Sequence, residues 1–218
     1  MSDTIKKLGF WSAVLSALFA ILWFITFNLK DVLGPVPDWQ DIEAYAQAFS
    51  ALRILYVYPS LLLAVTFVVL MACIHRWAPD GKKVWSLIGL ALSIVYATMA
   101  SVNYHIQAVA VSKSLESGQT IGIAMLLPDH PNGVFGALAN SYVYMSLAMV
   151  FTGFVFAGSR LEAWIRGLFL IQILSAAGQI GTSMFGLSPV VLYGTGLIWA
   201  LGAPIAFVLL AIWFRRTE

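Results

Sequence analysis

The chain has 218 residues, of which 61% are hydrophobic and 10% are charged, and it carries a net charge of +2. Soluble domains contain about 25% charged residues, so a chain with so little charge cannot keep a soluble surface hydrated and requires lipid as its main solvent. The small net charge argues against a nucleic-acid partner. The single cysteine, Cys73, excludes an internal disulfide, a CxxC redox pair and a cysteine-based zinc cluster.

Six apolar segments are each long enough to cross a bilayer, which requires about 20 residues in a helix. The first begins near the N-terminus and has no convincing cleavage site, so we interpret it as a retained helix and not as a signal peptide. The sequence therefore predicts an all-α polytopic membrane protein in which residues 1–218 form one six-helix bundle, with kinks at Pro59 and Pro204. The predicted spans are residues 9–29, 51–74, 84–112, 134–157, 164–185 and 190–214.

The basic residues are distributed unevenly between the two sides that these spans define. Nine of the twelve lysines and arginines fall on the side of the two termini, and only Lys30, Arg53 and Lys113 fall on the other. Because basic loops tend to remain in the cytoplasm, the sequence predicts a multi-pass protein of the cell membrane (plasma or inner) with both termini cytoplasmic.

The two longest loops, residues 30–50 and 113–133, both lie on the predicted outer side. In the first, Asp38 follows a proline and is a plausible N-cap for a short surface helix over residues 39–49. The second contains an apolar stretch, residues 121–127, which we expect to pack on the membrane surface or to enter the mouth of the bundle.

The spans lack the residues that several membrane functions require. No Asp, Glu or Lys lies in the middle of a span, so neither a covalent retinal on lysine nor a relay of buried carboxylates is predicted. Only His105 lies inside a span, so a haem held by two histidines is not expected, and no metal site is predicted. The sequence leaves the identity of any other cofactor open.

Polar side chains of five spans are predicted to lie at a similar depth, in the outer half of the membrane. Asn103 and Gln107 are four residues apart on one helix face, as are Asn140 and Tyr144. Polar groups at this depth must face protein or water, which predicts a polar cavity that opens outward beneath the two long loops. The candidate ligand-binding residues are Arg53, Tyr56, Asn103, Gln107, Asn140, Tyr144 and Gln179.

The role of Arg53 has more than one interpretation, and three further residues are candidates for catalysis. Arg53 either extends to the lipid headgroups or forms an ion pair with Asp129, Asp41, Glu43 or an anionic ligand. Weak candidates for acid–base catalysis are His105, Asp129 and His130.

Three functional hypotheses follow from these patterns. The first is a non-enzymatic protein that binds or transports a small amphiphilic or apolar ligand. The second is a membrane enzyme that acts on a lipid or an isoprenoid, although no buried carboxylate or activated nucleophile is visible. The third is an accessory subunit of a larger complex, because small-residue ladders such as Ser12, Ser16 and Ala20 also permit homo- or hetero-oligomers.

Overall fold

The computed structural model of this protein describes residues 2–131 and 133–216. It is 81% helical and has no strand in these ranges, which confirms the all-α class. The helices are α1 (Asp3–Asn28), α2 (Lys30–Leu33), α3 (Ile42–Ala48), α4 (Val57–Trp77), α5 (Lys83–His105), α6 (Ser112–Glu116), α7 (Val134–Ala139), α8 (Ser141–Gly153), α9 (Arg160–Leu170), α10 (Gln172–Phe185) and α11 (Pro189–Arg216).

Six helical segments are long and apolar enough to cross a membrane, which indicates a multi-pass membrane protein. The first span is α1, the second contains α4, and the sixth is α11. The third is one long helix from α5 to α6, joined by the π-helical segment Ile106–Val111. The fourth combines α7 and α8, and the fifth combines α9 and α10. Their ends lie within about four residues of the predicted ones, except that α1 begins at Asp3, about six residues before the predicted start, because hydropathy alone does not mark the polar first turns of a helix.

Helix ends follow ordinary capping chemistry. The Ser159 side chain accepts a hydrogen bond from the backbone N–H of Glu162 at the start of α9, and Ser2 does the same for Ile5 at the start of α1. Pro59 lies in the first turn of α4, where backbone N–H groups have no intrahelical acceptor. The proline therefore removes no helix hydrogen bond, and the predicted reason for a kink there does not apply. Pro204 lies inside the continuous helix α11.

The six spans close into a ring. Each packs against the next along the chain, and the sixth packs against the first. Gly89 permits the close approach of α5 and α8, since a β-carbon at this position would collide with Thr152. Aromatic side chains fill the centre, where the rings of Phe67 and Phe207 lie 5.9 Å apart.

The two ends of the ring differ in structure. At one, which we call the terminal end, Lys6 of α1 and Arg215 of α11 line the same recess. At the other, the two long loops form a compact layer that we call the cap and define as residues 30–54 and 106–131. The cap has a small apolar core of its own, formed by Tyr45, Val111, Leu115, Ile123 and Leu127.

The cap confirms the predicted short helix and corrects its beginning. Helix α3 covers Ile42–Ala48, and its N-cap is Asp41, whose Oδ1 accepts a 2.8 Å hydrogen bond from the backbone N–H of Ala44. The prediction of Asp38 was wrong because the chain turns again between Pro37 and Asp41 before the helix begins.

Candidate ligand-binding site

Arg53 holds the cap together from a buried position. Its side chain is 4% exposed, and its Nε and Nη2 donate to the two carboxylate oxygens of Asp129 at 3.1 and 2.9 Å. Its Nη1 donates to Asp31 and to the carbonyl oxygen of Gly34, both at 2.8 Å. The predicted ion pair with Asp129 is therefore present, while Asp31 is a second partner that the sequence did not indicate. This bidentate geometry joins the two loops of the cap.

Two groups beside Arg53 have shifted pKa values that fix their protonation states at neutral pH. The Tyr45 hydroxyl donates to Asp129 at 3.1 Å, and burial together with the Asp129 charge raises the pKa of Tyr45 above its ordinary value. A hydrogen bond from Lys30 and a smaller contribution from the hydrogen bond of Arg53 lower the pKa of Asp31 below its ordinary 3.8, although partial burial opposes them. At neutral pH the network thus contains neutral Tyr45 and ionised Asp31.

Two of the predicted ligand-binding amides bind the protein's own backbone. The Gln107 side-chain N–H donates to the carbonyl oxygen of Leu126 at 2.6 Å, and that of Asn103 donates to Phe135 at 3.4 Å. Both amides are buried. They tie the third span to the second long loop and to the start of α7, at the boundary between the ring and the cap.

Replacing Gln107 by Leu is expected to loosen the second loop of the cap. The carbonyl of Leu126 would lose its hydrogen-bond donor, which costs about 1 kcal/mol. The population of the locally opened loop should therefore rise roughly fivefold. Hydrogen exchange of the backbone amides in residues 119–131 measures this opening. Gln119 is exposed in the same loop, so Gln119→Leu is the matched control; equal exchange in both variants would contradict the role assigned to Gln107.

The other predicted ligand-binding residues are distributed over the bundle. Tyr56 is buried, with its ring edge-to-face against Phe27 and Tyr104. Asn140 is half-buried at the junction of α7 and α8, and Tyr144 is half-buried against the core. The Gln179 amide donates to Ser175 of its own helix at 3.3 Å.

The three candidates for acid–base chemistry lie in different surroundings. His105 is exposed at the end of α5. Asp129 accepts hydrogen bonds from Arg53 and Tyr45, and the imidazole of His130 packs edge-to-face on Trp39 with ring centroids 4.7 Å apart. In the cap, Asp129 therefore has a structural role as the acceptor for Arg53.

The residues that sequence reasoning missed form an aromatic cluster in the middle of the ring. Trp23 of α1 packs against Tyr142 of α8 and Trp199 of α11, and Tyr142 packs against Tyr96 of α5, with ring centroids 5.0–5.5 Å apart. The hydroxyl of Tyr104 lies 3.1 Å from that of Tyr142. We call these five residues the aromatic cluster, which brings together four of the six spans.

Three hydrogen-bonding groups of the aromatic cluster make no hydrogen bond of ordinary geometry among the described residues, although the Tyr96 hydroxyl interacts with the Tyr142 hydroxyl and the Trp23 indole with the Tyr104 hydroxyl. They are Nε1 of Trp23, the hydroxyl of Tyr96 and Nε1 of Trp199, and all three atoms are buried. Leaving such a group unpaired in an apolar interior costs about 1–3 kcal/mol. An indole N–H can only donate, so the missing partner must offer an acceptor atom.

The unpartnered groups lie deep in the bundle. Trp199 is roughly 15 Å along its helix from the cap end, Trp23 is roughly 8 Å from the cap end of α1, and Tyr96 is roughly 20 Å from the terminal end of α5, at 1.5 Å per residue. At a comparable depth, Ser146 Oγ and Gln172 Oε1 are also buried without a partner among the described residues. By the same measure the predicted residue Tyr144 lies roughly 15 Å from the cap end, at the depth of Trp199, and Gln179 lies nearer to that end.

One signal in the sequence points to this cluster. Tryptophan in membrane proteins is concentrated at the lipid–water interfaces. Trp11, Trp77, Trp85, Trp164, Trp213 and Trp39 fit that rule, which leaves Trp23 and Trp199 as the two that fall well inside a span. No family model, no curated protein and no solved structure matches this chain, so we base its function on the geometry alone.

Proposed function

We propose that the protein is a non-enzymatic component of the plasma or inner membrane that binds a small amphiphilic or apolar ligand in the aromatic cluster, for uptake or sensing. The observation that carries the proposal is the convergence, from three spans, of Trp23, Tyr96 and Trp199, three buried groups that make no hydrogen bond of ordinary geometry among the described residues. A bundle needs only apolar contacts to pack, so a cluster of costly unpaired groups at one point favours a binding role.

In this proposal both termini are cytoplasmic and the cap faces outward. The distribution of charge supports that orientation. The terminal end carries nine of the twelve basic residues, and cytoplasmic loops are enriched in lysine and arginine. The cap carries most of the acidic residues, among them Asp31, Asp41 and Asp129.

The chemistry of the cluster specifies the ligand class. Flat aromatic walls favour an apolar or planar body, and two indole N–H groups require oxygen or nitrogen acceptors on the ligand. No carboxylate or ammonium is part of the cluster, so the ligand is uncharged where it is bound. A hydrophobic molecule with carbonyl or ether oxygens meets these conditions.

The cap controls access in this proposal. Arg53 links the loop before the second span to the loop before the fourth through Asp129, directly above the ring. Separation of this pair would open the cap end, while the ligand could also enter sideways between spans. In this proposal the cap forms the roof over the ligand site.

The test is native mass spectrometry of the protein released gently from its own membranes. We expect a reproducible additional mass of one small molecule on the wild type and on the control Trp164→Phe, whose indole is 61% exposed. That mass should be lost in Trp199→Phe, which removes an unpartnered donor. A bare protein mass for the wild type would contradict the proposal, and a stoichiometric protein partner would favour the accessory-subunit hypothesis instead.

A further inference from the structure

A recess lies at the terminal end, far from the aromatic cluster. It has a volume of about 460 Å³ and opens between the start of α1 and the end of α11. Its lining combines charged and aromatic side chains and consists of Asp3, Lys6, Lys7, Phe10, Phe214 and Arg215. The close approach of the two helices behind it depends on Gly9, because a β-carbon there would collide with Phe214.

The recess has an excess of positive charge. Lys7 is paired with Asp3 at 2.7 Å, which leaves Lys6 and Arg215 without an ion pair among the described residues. Lys6 is half-buried and Arg215 is exposed, and both line the recess. Two cations that line one concave site and have no carboxylate partner in the part of the chain that the structure describes are suited to an anion.

The surroundings of the recess indicate that the anion belongs to a lipid. Phe10 and Phe214 form an apolar wall beside the cations, and the neighbouring Trp11 is exposed, as is typical of tryptophan at a lipid–water interface. From here toward the cap, α1 and α11 expose continuous apolar surface, including Ile21 and Leu201. Acyl chains would lie along this surface, whereas a free phosphate ion would gain nothing from it.

We propose that the recess is a binding site for the headgroup of an anionic phospholipid. Arg215 binds two phosphate oxygens in its planar fork, Lys6 contributes a second charge, and the half-buried Phe10 contacts the glycerol region. A second, smaller recess of about 280 Å³ on the other side of α1 contains Arg76 and Trp77 and adds positive charge to the same end. The site is independent of the function proposed for the aromatic cluster.

The test titrates delipidated protein in detergent with phosphatidylglycerol and, separately, with phosphatidylcholine of the same acyl chains, and counts bound lipid by native mass spectrometry. We expect the wild type to prefer phosphatidylglycerol. The double variant Lys6→Gln, Arg215→Gln should bind phosphatidylglycerol roughly 30-fold more weakly. Each basic residue near an anionic surface contributes about 1 kcal/mol, which is roughly a fivefold change in affinity.

The control is Arg160→Gln, Arg166→Gln, which removes the same charge from exposed positions that do not line the recess. This variant should bind phosphatidylglycerol nearly as well as the wild type. An equal loss in the two double variants, no preference for phosphatidylglycerol, or full competition by inorganic phosphate at the lipid concentration would overturn the proposal. Unchanged thermal unfolding of both variants establishes that the difference arises at the site.

Discussion

Replacement of Arg53 by Met is expected to lower the free energy of unfolding by about 3 kcal/mol. Removing one partner of a buried ion pair leaves the other charge uncompensated, at a cost of about 3–5 kcal/mol. The lower end applies because the Asp129 side chain is 25% exposed and retains some contact with water. Unfolding of the detergent-solubilised protein by sodium dodecyl sulfate, followed by tryptophan fluorescence, measures the change.

Two further variants separate the ion pair from a general effect of charge. Lys113→Met also removes a basic residue from the cap, at an exposed position, and should change the free energy of unfolding by less than about 0.5 kcal/mol. Asp129→Leu combined with Arg53→Met should cost less than the sum of the two single changes, because they disrupt one contact. Additive losses, or a loss at Lys113 equal to that at Arg53, would show that the network does not hold the cap.

Removal of the Tyr96 hydroxyl is expected to separate stability from ligand binding. In Tyr96→Phe an unpartnered buried hydroxyl disappears, so the free energy of unfolding of the delipidated protein should stay the same or rise. If the ligand accepts a hydrogen bond from this hydroxyl, its affinity should fall about tenfold, and the fraction of protein that carries the additional mass should fall with it.

Tyr104→Phe is the matched comparison within the same cluster. The Tyr104 hydroxyl is hydrogen-bonded to that of Tyr142, so its removal should lower the free energy of unfolding by about 1 kcal/mol. Chemical denaturation measures the stability of both variants, and native mass spectrometry measures the bound fraction. A loss of stability in Tyr96→Phe equal to that in Tyr104→Phe would mean that Tyr96 already has a structural partner and that the site is misplaced.

The six spans and the all-α class follow from composition because the bilayer imposes one length and one polarity on every crossing helix. The sequence also predicted the helix of the cap, since residues 39–49 contain good helix formers before a break. The exact N-cap was not predictable in the same way. Asp38 and Asp41 both suit the position chemically, and only the path of the chain after Pro37 places Asp41 at the first turn.

The candidate site was harder to predict because hydrogen-bond partners come from distant parts of the chain. Gln107 and Asn103 were expected to face protein or water, but helical spacing cannot show that they meet the backbone of Leu126 and Phe135. The unpartnered groups of the aromatic cluster are on tryptophan and tyrosine, which hydropathy treats as ordinary members of a span. Attention to Trp23 and Trp199, the tryptophans away from both interfaces, would have located the cluster.

The most direct test places a photoreactive group inside the aromatic cluster. Para-azidophenylalanine at position 96 keeps the shape of the tyrosine, and irradiation in intact cells would attach whatever lies against the ring. The proposal predicts one small-molecule adduct on the peptide that contains residue 96. Position 58, where Tyr58 is 52% exposed, should yield only membrane lipids. Crosslinks from position 96 exclusively to neighbouring spans, with no small molecule attached, would contradict a ligand site in the ring.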